Sequence, residues 1–216
     1  MGARLKTIPC FAAAVLLAGC SADKPLELPA APVDRAASCA VVAAAQARTK
    51  TADFKAPLPL EAQGRILHYA MLAASEGEAF DAQVASAVSK RMGELEAGIT
   101  KGKWQALIPA CDAAYPVAAK TDVELPAGRT DALLQCNEVA RFLLGVLDGQ
   151  NADHANRLSE IGQLKQKLDR DIVPGLRARA GTSPAAQQKE KRAALAAATS
   201  LGSPVPLLDA CMKRFG

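Results

Sequence analysis

Two stretches of this chain, about a hundred residues apart, place a cysteine at each end, and paired cross-links constrain a chain more than any local propensity does. "DRAASCAVVA" begins at Asp34 and "DALLQCNEVA" at Asp131, and both spell D-x4-C-x2-V-A at an offset of 97. The closing stretches "LIPACDAAYP" and "LLDACMKRFG" match at an offset of 100, pairing Leu95 with Leu195, Gly102 with Gly202, Leu107 with Leu207 and Cys111 with Cys211. Tyr115 falls opposite Phe215. The change of offset means a net three residues added inside the second copy, which a loop absorbs most easily. The sequence therefore reads as an internal duplication, with repeat 1 at 34–115, repeat 2 at 130–216 and a connector at 116–129. That connector, "PVAAKTDVELPAGR", carries the prolines and glycine of a turn-rich link.

Within each copy the apolar residues recur at helical spacing. Phe80, Val84, Val88, Met92, Leu95 and Ile99 follow one another three or four residues apart and so share one stripe. Leu133, Cys136, Ala140, Leu143 and Leu147 do the same in the second copy, followed by Leu158, Ile161, Leu168 and Ile172 ahead of the breaker at Pro174–Gly175. No alternating strand pattern competes. The expected fold class is all-α: two tandem four-helix repeats, with helices near 36–50, 59–75, 78–99, 103–115, 130–149, 153–173, 183–200 and 204–215. Each copy is small and rich in alanine, which lets helices approach but buries little area, so a covalent staple compensates for a limited core.

The first twenty residues, "MGARLKTIPCFAAAVLLAGC", have Arg4 and Lys6, then an apolar run from Ile8 to Ala18, and no acidic residue. This is the layout of a secretion signal, and the run is shorter than the roughly 20 residues of a spanning helix. "LAGC" at Leu17–Cys20 resembles the lipobox of bacterial lipoproteins. That resemblance implies removal of residues 1–19 as a signal peptide, acylation of Cys20 at the new N-terminus, and attachment to a membrane through that lipid. Ser21 follows the lipidated cysteine in place of the aspartate that goes with inner-membrane retention, which implies the outer membrane, facing the periplasm. Residues 20–33 form the lipidated N-terminus and a Pro-rich tether, expected to be extended and mobile.

With Cys10 in the signal and Cys20 in the lipobox, four cysteines remain: Cys39, Cys111, Cys136 and Cys211. An even number in an exported chain reads as disulfides, and four allow three pairings. The duplication selects Cys39 with Cys111 and Cys136 with Cys211, tying the first helix to the last in each copy. No C-x-x-C or other close pair suggests a metal site, and no metal or cofactor is expected.

His68 and His154 are the only histidines. Their neighbours, Arg65 and Glu61 in one case and Asp153 in the other, place both on solvated surface. Glu94 and Glu96 are two apart and point to different helix faces, so they form no acid/base pair. No nucleophile elbow, zinc-protease motif or phosphate loop is present, and no catalytic residue is nominated. Loss of Arg4 and Lys6 from 26 basic side chains leaves 24 against 22 acidic ones, a nearly neutral body. With one Trp, two Tyr and five Phe scattered along the chain, it lacks the basic face and stacking platforms of a nucleic-acid binder. One asymmetry stands out: eight basic residues lie between Lys165 and Arg192, interleaved with Asp169, Asp171 and Glu190 as on ordinary solvated helix faces. The expectation is a lipid-anchored envelope protein acting as a structural or interaction module, its partner an envelope protein or cell-wall component. The alternatives are a small-ligand binder using an apolar groove lined by both repeats, and an enzyme with a site assembled from dispersed residues.

Overall fold

The computed structural model describes residues 26–53, 55–147 and 154–216; Cys10, Cys20 and the rest of 1–25 lie outside the described residues. The fold is all-α. Its first half comprises α1 (Pro32–Arg48), α2 (Leu60–Ala74), α3 (Ala82–Lys101) and α4 (Ile108–Ala114). The second comprises α5 (Arg129–Leu147), α6 (Ala155–Asp171), α7 (Val173–Ala180), α8 (Pro184–Thr199) and α9 (Pro204–Phe215). Among the described residues the second half thus has five helices where four are expected. The extra one is α7: Pro174 lies in its first turn, where a missing N–H costs nothing, so "PG" starts a helix instead of ending the ordered chain. The same tolerance lets α1 begin at Pro32, earlier than its sequence pattern suggests.

Each half is closed covalently, with the two pairings expected from the sequence. Cys39 is bonded to Cys111 and Cys136 to Cys211, with Cα atoms 5.4 and 5.7 Å apart. In each half the first helix packs on the next long two, α1 on α2 and α3, α5 on α6 and α8. A further correspondence appears just ahead of each first helix. "ELPA" occurs at 27–30 and again at 124–127, the same offset of 97. Leu26 lies 2.9 Å from where a Cβ on Gly102 would stand, and Val123 lies 2.7 Å from the same point on Gly202. Each of these glycines therefore admits the segment that leads into its own half. The expected tether is accordingly shorter than 20–33: Leu26 and Leu28 are docked on the first half, beside Val42 and Ile99 in one case and beside the Cys39–Cys111 cluster in the other. Their leucines supply the apolar area that a Pro-rich composition obscures.

The halves share a core. Around Cys136–Cys211 the buried cluster of Leu133, Leu143, Ile161, Leu168 and Leu207 continues into Leu60, Met71, Ala74 and Phe80 of the first half. Helix α2 has two buried faces, since Tyr69, Ala70 and Ala73 join the cluster around Cys39–Cys111. It lies so close to α9 that a Cβ on Gly64 would stand 2.6 Å from Val205 Cγ2. Alanines Ala36, Ala37 and Ala40, fully buried on α1, permit comparable approach on the other side. Each large aliphatic side chain so buried contributes about 1.5–3 kcal/mol. No single described helix is long and apolar enough to cross a membrane; α8 and α9 pass that test only as a pair bent by 108°. Both supply residues to the shared core.

Candidate functional site

A groove of about 360 Å³ opens where the halves meet, with α2 and α3 on one side and α5 and α8 on the other. Its walls are Leu67, Phe80, Phe142 and Leu195, and its rim carries Arg141 and Arg192. Phe80 and Phe142 meet edge to face with centroids 5.4 Å apart, joining the halves through their rings. The backbone reinforces this junction. Phe80 N–H donates to the Arg192 carbonyl at 3.1 Å, and Arg192 Nε donates to the Phe80 carbonyl at 2.7 Å. Asp81 then caps α3 by accepting from Gln83 N–H at 2.8 Å, fixing where that wall begins.

The other guanidinium is held from below. Arg141 Nε donates to Glu138 Oε2 at 2.8 Å, and Nη2 reaches the same oxygen. The Glu138 side chain is fully buried, whereas that of Arg141 is 48% exposed, so the pair sets a cation at the groove with its countercharge beneath. Glu138 Oε1 and Gln135 Oε1, one turn apart on α5, are buried without a donor among the described residues. Buried carboxylate and amide oxygens usually find one, and with Asn137 these two make three buried polar side chains within four residues of α5.

His68 corrects the sequence reading. It is completely buried on α2, and its Nε2–H donates to the Thr199 carbonyl of α8 at 2.8 Å, again across the halves. Burial lowers its pKa to about 4, the Thr199 bond opposing that shift only in part. Arg65 and Glu61 point to a polar face only if α2 has one buried side; it has two. His154 is half-buried at the start of α6, with Nε2 3.0 Å from the Leu58 carbonyl and 3.3 Å from Gln63 Nε2. Neither imidazole bonds a carboxylate among the described residues. Glu94 pairs with Arg91 at 2.7 Å, and among the described residues no group of His, Cys, Asp and Glu is arranged to hold a metal ion.

Part of the basic run of the second half is internally engaged. Lys165 pairs with Asp169 at 2.7 Å and Arg179 with Asp131 at 2.6 Å. The latter bond holds the Asp131 carboxyl below the usual carboxylate range. Arg192 leaves that run to join the groove. Other grooves among the described residues include one of about 290 Å³ involving α1, α2 and the connector, one of about 510 Å³ between the connector and α9, and one of about 750 Å³ beside Trp104. The groove beside Trp104 is bounded in part by the α1–α2 loop, whose position 54 lies outside the described residues.

The groove could be found in sequence only in fragments. Phe80 stands out as apolar, but Phe142, Arg141 and Arg192 gain meaning only once α5 and α8 face α3. Comparison with family models, curated proteins and solved structures gives no match.

Proposed function

We propose that this chain is a lipid-anchored envelope protein, held at the periplasmic side of the membrane through Cys20, whose body receives a small anionic amphiphile in the groove between its halves. The observation that carries the reading is the groove itself: apolar walls from both halves under two guanidinium groups, in a volume of about 360 Å³. Ligand sites are typically apolar concavities of roughly 300–1,000 Å³ with a few placed polar groups. Phe80 and Phe142 suit a hydrocarbon body, and Arg192 suits a carboxylate or sulfate head. Arg141 contributes orientation more than net charge, because Glu138 balances it. The lipobox-like "LAGC" supports the anchor, and the two intact disulfides accord with an oxidising compartment.

Decanoate is a suitable probe. Calorimetric titration is expected to give saturable one-to-one binding that Arg192→Gln weakens at least tenfold, about 1.4 kcal/mol. Ser86→Trp, at an exposed position on the groove wall, is expected to block binding without disturbing the core. Absence of binding, or equal binding by both variants, rules the groove out as the site.

A further inference from the structure

We infer that the end of the first half around Leu26, Gly102 and Trp104 rests on the headgroup layer of the membrane that holds Cys20; this depends on the proposed acylation. The argument begins with chain length. Leu26 is fixed against Gly102 and packs with Ile99, Leu107 and Trp104. Only residues 21–25 separate it from Cys20. A fully extended chain advances at most about 3.6 Å per residue, so Leu26 stays within about 20 Å of the lipidated residue however the spacer is arranged. Since Cys20 lies at the bilayer surface once acylated, this end of the body is the one that reaches it.

The residues there fit such a surface. Trp104, half-buried, is the only tryptophan in the chain. Tryptophan favours the membrane interface, where an apolar ring with a polar edge is satisfied on both counts. Lys101 and Lys103, both exposed, flank Gly102 and are placed to meet anionic headgroups. The carboxylates of this end include Glu27, exposed beside Leu26, and Glu96, which shares the wider groove with Trp104 and Arg48. The charge balance is mildly positive, so tether length and Trp104 carry most of the orientation.

The single tryptophan makes the test direct. The native acylated protein is placed in vesicles of phosphatidylethanolamine and phosphatidylglycerol whose acyl chains are brominated near the headgroup, with the N-terminal peptide weighed in parallel. Trp104 fluorescence is expected to fall at least twofold relative to unbrominated vesicles. Insertion of a twenty-residue Gly-Ser spacer between Pro25 and Leu26, combined with Lys101→Glu and Lys103→Glu, is expected to restore the fluorescence while acylation and vesicle attachment persist. Unquenched Trp104 in an acylated, vesicle-bound protein overturns the orientation and leaves the anchor standing. An unmodified Cys20 overturns both, and the mass distinguishes the two failures.

Discussion

Acidification from pH 7 to pH 4 is expected to remove about 3 kcal/mol of stability through His68 alone. The imidazole is neutral in the fold because burial disfavours its charged form, and its one hydrogen bond, to the Thr199 carbonyl, is already made by Nε2–H. Protonation adds a charge and an N–H at Nδ1, a buried atom with no partner among the described residues. The folded pKa, about 4, lies below the ordinary value of 6.5. The stabilisation is therefore complete above about pH 6.5 and is lost as pH falls towards 4; roughly 2.5 units correspond to about 3 kcal/mol. Urea unfolding of the wild type and of His68→Gln at pH 7.5, 5.5 and 4 isolates the effect, since other titrating groups are common to both. The stability gap between them should narrow by about 3 kcal/mol; a constant gap means that His68 is not held neutral.

Removal of the second disulfide is expected to cost about 4 kcal/mol. It closes a loop of 75 positions, and in the chain-entropy account a closure of that size stabilises by roughly 4 kcal/mol. For a domain whose total stability is about 5–15 kcal/mol this is a large share. Cys136→Ala with Cys211→Ala avoids burying new hydroxyls at positions that are fully enclosed. Because that disulfide sits in the cluster that includes Leu60, Met71 and Phe80, the loss should spread into the first half. Hydrogen exchange should show α2 losing protection along with α5, and α1 less so. Exchange that accelerates in α5–α9 while α2 keeps its wild-type protection contradicts a shared core.

What the sequence disclosed was whatever rests on local period and repetition. Helical stripes such as Val84, Val88 and Met92 lie on one element and need no knowledge of its neighbours, so the all-α class was legible. So were the disulfides, because the cysteines recur in register. Repetition carries a further signal: "ELPA" at 27–30 and 124–127 marks the docked segments, but the three prolines between Cys20 and Asp34 dominate the local composition and point to a loose tether. What depends on elements meeting across the chain stayed hidden. His68 looks polar beside Arg65, and only its position opposite Thr199, 131 residues away, makes it a buried tie. Glu138 and Arg141 lie one helical turn apart, a spacing common on solvated helices, and nothing local signals that the carboxylate is fully buried. The groove has no sequence signature for the same reason, since its walls come from α2, α5, α8, and α3 with the turn ahead of it.

The central claim is that two separately stapled halves share one core and shape one groove between them. The most direct test inserts a specific protease site between Thr121 and Asp122, two exposed connector residues, and follows the cleaved protein by native mass measurement. The two pieces should remain together in buffer, keep binding decanoate, and separate in denaturant without any reductant, because each disulfide lies within one piece. Pieces that part in buffer, each keeping its full helical content, would show two independent domains and contradict the claim.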